Sequence, residues 1–98
     1  MTGKKFQLGR VVATPGALDV LNQTDQLPSE FLKRHIVGDW GNICDEDKKL
    51  NDAAIASEGD EELQGRVMSV YKTKAKDKIW IITEWDRSVT TILLPSEY

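Results

Sequence analysis

One histidine, His35, and one cysteine, Cys44, are all that 98 residues supply. A single thiol cannot close an intrachain disulfide, so the fold does not depend on oxidation. A single imidazole leaves little from which to build a zinc site or a nucleophile-histidine relay. No apolar run approaches the ~20 residues needed to cross a bilayer as a helix. Met1-Thr2-Gly3-Lys4-Lys5 is not followed by an apolar signal region, and together these features place the expected setting in the cytoplasm, away from membranes. Gly38 and Gly41 lack the flanking pattern of a phosphate-binding loop, so no nucleotide cofactor is expected. Positive charge is also short: 13 Lys and Arg stand against 16 Asp and Glu, a net charge of −3. Nonspecific nucleic-acid binding depends on cationic surface, so direct binding of that kind is not expected.

What is present fits one domain spanning 1–98. Hydrophobic residues make up 40% and charged residues 30%, which is ordinary globular composition with room for one core. The charge is uneven. Residues 39–63 carry Asp39, Asp45, Glu46, Asp47, Asp52, Glu58, Asp60, Glu61 and Glu62 against Lys48 and Lys49, whereas residues 64–78 carry Arg66, Lys72, Lys74, Lys76 and Lys78 against Asp77. Such asymmetry steers charged partners.

Local patterns predict the order β-α-α-α-β-β-β. Phe6 to Ala13 alternates as a strand should. Thr14-Pro15 follows, with threonine suited to capping a helix and proline to its first turn. A second helix is predicted from Pro28 to Val37, with Phe31, Leu32, His35 and Ile36 as its stripe and Leu27 at the cap position. Gly38 stops it. A third helix is predicted from Asp45 to Glu58, with an acidic first turn that suits the helix dipole. Its thin stripe is Leu50, Ala54 and Ser57, and Gly59 ends it. Strands are then predicted at Arg66–Lys72 (Val67, Ser69 and Tyr71 on one face), Lys78–Trp85 and Val89–Leu94, joined by short links into an antiparallel meander. The expected fold is α+β: three short helices packed on a small antiparallel sheet. Ile79-Trp80-Ile81-Ile82 is apolar on both faces. Tyr71 and Trp80 are expected in the core, and Trp40 or a partner subunit is expected to shield part of the second sheet face.

Several stretches carry a resemblance. Thr14-Pro15-Gly16-Ala17-Leu18, Phe31-Leu32 with Arg34-His35, Gly38-Asp39-Trp40-Gly41, Ile79-Trp80-Ile81-Ile82-Thr83-Glu84, Asp86-Arg87-Ser88, Thr90-Thr91 and Leu93-Leu94-Pro95 are similar to a family of small bacterial proteins. Its members are often described as plasmid-related, and some bear a type I restriction-subunit label. The likeness runs from Val11 to Tyr98, with departures at Leu27 and Trp85. It implies a bacterial setting linked to mobile elements and supplies no activity, cofactor or catalytic residue. About 100 residues cannot hold a nucleotide-binding methyltransferase domain.

Candidate chemistry is sparse. His35, Asp39 and Cys44 are too few for a metal site, and His35 is expected to be a half-buried structural histidine. Asp86-Arg87-Ser88 is a turn by composition, with Arg87 pairing Glu84 or Asp86. A small nuclease would have to use His35 with Glu84 or Arg87 as acid, base and phosphate binder. The acidic stretch could alternatively mimic nucleic acid and block a defence or restriction protein. The leading expectation is a protein-binding module, with Trp40, Asp39, Asp86 and Arg87 as its candidate binding residues and a homodimer as a further option.

Overall fold

The computed structural model describes residues 4–58, 60 and 64–98. Its elements are β1 (Arg10–Ala13), α1 (Pro15–Gln23), α2 (Pro28–Ile36), α3 (Asp45–Ala56), β2 (Val67–Lys72), β3 (Lys78–Thr83) and β4 (Val89–Leu93), followed by a 3-10 turn at Pro95–Glu97. The order is the expected one, and the fold is α+β. The strands form one sheet in the order β1-β4-β3-β2. The β2–β3 and β3–β4 pairings are antiparallel, as the meander required. β1 corrects the expectation of a wholly antiparallel sheet, because it pairs parallel with β4. A parallel neighbour needs a long crossover, and the chain between Thr14 and Ser88 provides it.

β1 is also shorter than predicted. Gly9 adopts φ +64, and a Cβ there would lie 2.3 Å from the Arg87 carbonyl oxygen. This left-handed residue ends the alternation upstream of Arg10 and lets Phe6 turn inward, where it is buried. α1 starts as its sequence dictates: the Thr14 hydroxyl accepts the Ala17 amide at 3.2 Å, with Pro15 in the first turn. α2 has no side-chain cap at Leu27. Both helices press onto one sheet face, where Ala17, Leu21 and Phe31 meet Tyr71, Ile79, Ile81 and Ile92. Register explains the selection. Tyr71 lies opposite Ile79, and Ile81 opposite both Ser69 and Ile92, so these side chains share a face.

α3 departs from its predicted stripe. Asn51 and Ala54 are its buried residues, and Leu50 is 67% exposed. The predicted stop at Gly59 lies outside the described residues. α3 runs along the outer edge of β2, where the need is for an amide. Asn51 Nδ2 donates to the Met68 carbonyl at 2.8 Å, and the Met68 amide donates to Asn51 Oδ1 at 3.1 Å. The next outward-facing residue is held in the same way. The Val70 amide donates to the Trp40 carbonyl at 3.1 Å, and the Asn42 amide donates to the Val70 carbonyl at 2.6 Å. Gly41 makes this close approach possible: φ is +73, and a Cβ would lie 2.2 Å from the Val70 oxygen. The β2 edge is thus closed by a helix side chain and a loop backbone. Asn51→Leu is expected to strand both Met68 groups, cost about 2 kcal/mol in urea unfolding, and raise light scattering as the edge opens. Unchanged stability and scattering would refute this edge-closing role.

Candidate functional site

His35 lies on α2 and faces the sheet with no solvent exposure. Its Nδ1 is 2.5 Å from Ser69 Oγ on β2, and its Nε2 is 3.0 Å from Thr83 Oγ1 on β3. Thr83 Oγ1 is 2.7 Å from Thr90 Oγ1 on β4, and the Thr90 hydroxyl donates to the Leu8 carbonyl at 2.7 Å. Proton counting fixes the direction of this chain. Each hydroxyl has one proton. Thr90 uses its proton on Leu8, so Thr83 donates to Thr90 and must accept from His35. The imidazole therefore carries its proton on Nε2, and Nδ1 accepts from Ser69. Burial, with the Arg87 charge adding to it, lowers the His35 pKa to about 3. The ring is neutral at physiological pH. It is enclosed edge-on by Phe6 at 5.1 Å and Trp40 at 5.7 Å between centroids.

Arg87 forms a second centre. It sits in the β3–β4 turn at φ +59, and its side chain is 6% exposed. Nε and Nη2 grip the Glu58 carboxylate just beyond α3, the closest contact being 2.8 Å. Nη1 donates to the Gly65 carbonyl at 2.7 Å and the Glu84 carbonyl at 2.9 Å. The guanidinium carbon also lies 5.5 Å from the Phe6 ring centroid. The partner is therefore Glu58, not the expected Glu84 or Asp86 side chain. Sequence proximity suggested the local acids, but the turn aims Arg87 inward. Asp86 is occupied locally: its Oδ1 accepts the Ser88 amide at 3.0 Å and the Ser88 hydroxyl at 2.6 Å. Those bonds hold the Asp86 carboxyl below the usual range. The three-residue knuckle is a turn with its arginine used as a clamp.

Trp40 is also interior. It stacks with Phe6 at 6.1 Å, and its indole N–H donates to Asp52 at 3.1 Å. It lies with the helices, so it does not shield the second sheet face as expected. Asp39 is exposed and paired with Arg34 at 2.8 Å, a bond that holds its carboxyl low. Arg34 in turn lies over Tyr71, 4.5 Å from the ring centroid. The Tyr71 hydroxyl donates to the Asp39 carbonyl at 2.6 Å, and burial pushes its pKa up to about 12. Of the four candidate binding residues, Trp40 and Arg87 are enclosed, whereas Asp39 and Asp86 remain at the surface.

The nuclease set is also dispersed in role. His35 is sealed from solvent, and Arg87 is engaged by Glu58 and two carbonyls. Arg87 also lines a surface pocket with Lys4, Phe6, Glu58 and Gln64, whereas His35 lines none of the pockets described. The possible metal trio divides likewise: His35 bonds hydroxyls, Asp39 bonds Arg34, and Cys44 is a free exposed thiol. Among the described residues, no three His, Cys, Asp or Glu side chains are grouped as metal ligands would be. Three members of the acidic stretch, Asp39, Asp52 and Glu58, are committed to Arg34, Trp40 and Arg87, and Glu61 and Glu62 lie outside the described residues.

The sheet face away from the helices carries a different set. Register places Met68 opposite Ile82, Val70 opposite Trp80, Trp80 opposite Leu93 and Lys72 opposite Lys78. Arg10 and Val12 continue this face on β1. The 3-10 turn contacts β3 here. Tyr98 lies 5.4 Å from Trp80, ring centroid to centroid, and its hydroxyl accepts from Arg66 at 2.8 Å. Trp80 is thus a half-buried outer-face residue and not a core residue. The result is a partly apolar centre of Met68, Trp80 and Tyr98 with exposed Arg10, Arg66, Lys72 and Lys78 around it. The signal available in the sequence was the two-sided apolarity of β3 combined with lysines on both strands where the β2–β3 hairpin turns. No described helix is long and apolar enough to cross a membrane.

Compared with known proteins, the chain matches no family model, no curated protein and no solved structure.

Proposed function

We propose that this chain is a protein-interaction module serving as an accessory protein of bacterial mobile elements, with the outer sheet face as its recognition surface. The carrying observation is the Trp80–Tyr98–Arg66 cluster, ringed by Lys72, Lys78 and Arg10. Aromatic, methionine and arginine side chains are the types enriched at protein interfaces, and aromatics and arginine dominate their energetic centres. The cationic rim favours an acidic partner and speeds its approach. Engagement of His35 and Arg87 within the fold favours binding over cleavage. The mobile-element setting rests on the sequence resemblance.

Affinity capture from a bacterial host tests the reading. Wild-type protein should retain a protein partner. Tyr98→Ala and the pair Lys72→Glu/Lys78→Glu should each reduce capture at least tenfold, while Asp45→Lys/Glu46→Lys on α3 should leave it intact. Loss through the α3 changes alone would point to the acidic surface and to mimicry of nucleic acid. Nucleic-acid cleavage abolished by a folded His35 variant would overturn the binding view.

A further inference from the structure

The two edges of the sheet are treated differently. The β2 edge is closed by Asn51 and by the Trp40–Asn42 backbone. The β1 edge has no such cover among the described residues. The Arg10 amide donates to the Ser88 carbonyl and the Thr14 amide to the Ile92 carbonyl, which fixes the even-numbered residues of β1 toward β4. The amides and carbonyls of Val11 and Ala13 must then point outward, since backbone polarity alternates along a strand. Val11 is 42% and Val12 37% exposed. The strand is short and opens on Arg10, but its centre, Val11-Val12-Ala13, carries neither a charge nor a proline to keep the edge from pairing.

We propose that a second copy of this chain pairs with β1, antiparallel and centred on Val12. The outward groups of Val11 then meet those of Ala13 in the other copy, and Val12 stands opposite its own counterpart. The register is self-complementary, as a twofold interface must be. Charge favours this occupant. With Val12 at the centre, Arg10 falls opposite Thr14 of the second copy, on the same side of the sheet. The Thr14 hydroxyl already donates to the exposed Glu97 carboxylate. Each end of the paired strands therefore brings an arginine to a carboxylate. On the helix side, exposed Val11 and Leu18 supply apolar surface. The joined sheet has eight strands, twice the four of one copy. This pairing shares Arg10 with the rim of the outer face but uses none of Trp80, Arg66, Lys72 or Lys78.

Sedimentation velocity on the full chain over a concentration series tests it. Wild type should shift from monomer to dimer with rising concentration. Val11→Pro removes one outward amide and spares every bond to β4, a position where an edge strand tolerates proline. It should stay monomeric with unchanged circular dichroism. In a Cys44→Ser background, Val12→Cys should oxidise to a covalent dimer, because directly opposed residues of a non-hydrogen-bonded pair lie ~4.5 Å apart at Cα. Val11→Cys should not, since it faces Ala13. A wild type that remains monomeric to roughly 100 μM, well above typical specific affinities, overturns the proposal. So does a dimer that survives Val11→Pro, or one that Val12→Cys fails to trap. If Val11→Pro does not fold, charge exchange decides: Arg10→Glu should weaken the dimer at least fivefold, and adding Glu97→Arg should restore it. Failure of that restoration also overturns it.

Discussion

Replacing Arg87 with alanine is expected to destabilise the fold by about 2–4 kcal/mol, because it leaves the Gly65 and Glu84 carbonyls without their donor and removes the charged hydrogen bonds to Glu58, whose own carboxylate reaches solvent. Arg87 bonds the Glu58 carboxylate, the Gly65 carbonyl and the Glu84 carbonyl with one planar group. It therefore joins the segment after α3, the approach to β2 and the β3–β4 turn. Its side chain is 6% exposed, so solvent offers little replacement. Total stabilities of small domains run about 5–15 kcal/mol, so the loss is a large share of the whole. Arg87→Lys should recover only part of it, since an ammonium cannot reproduce the forked geometry. Urea unfolding of the two variants measures the effect. A cost below about 1 kcal/mol for alanine, in the range typical of surface pairs, would show that the clamp is dispensable.

The second large effect concerns pH. Burial lowers the His35 pKa to about 3, against an ordinary value of 6.5. Between those values the unfolded chain takes up a proton that the folded chain refuses. Stability is therefore complete above about pH 6.5 and falls as pH drops toward 3, by about 1.4 kcal/mol per unit. Asp39, Asp86 and Glu97 have carboxyls held below their ordinary values by Arg34, Ser88 and Thr14 respectively. Their contributions are lost only as pH falls through the lower carboxylate range, so the interval from about 6.5 to 4.5 isolates the histidine. Unfolding free energies should drop by roughly 2–3 kcal/mol across it. His35→Gln should be less stable at pH 7, because the amide cannot bridge Ser69 and Thr83 with the same geometry, and should be nearly flat over this interval. An equally steep slope in that variant would remove His35 as the cause.

Much of the fold was legible because local physics decided it. Thr14-Pro15 wrote a helix start that the Ala17 bond fulfils. Val67, Ser69 and Tyr71 alternated, and all three are buried on the helix face. β1 was overextended because the alternation from Phe6 gave no sign that Gly9 takes a left-handed turn against Arg87. Its parallel pairing was hidden because strand direction depends on chain sections far apart. α3 misled through chemistry: a search for apolar periodicity selected Leu50, whereas the edge of β2 needed the amide of Asn51.

The polar centres were harder still. His35 was expected to be half-buried and is fully buried; its hydrogen-bonded chain runs across three strands, and nothing in local spacing joins Ser69, Thr83 and Thr90. The informative signal was there: hydroxyl residues on the buried face of apolar strands need partners, and a histidine on the packed face of α2 supplies one. Arg87 and Glu58 are 29 residues apart, and only the inward aim of the β3–β4 turn brings them together. Both groups had looked like potential reagents because reactive side chains and buried structural ones are the same residue types. Exposure and engagement in hydrogen bonds distinguish them here.

The direct test is the nitrogen NMR spectrum of the His35 ring from pH 7 to pH 4. A frame histidine gives a neutral ring with its proton on Nε2 throughout, with no titration in this range. A midpoint near 6.5, or a population carrying its proton on Nδ1, would mean that the ring reaches solvent and that His35 is free to act as a reagent.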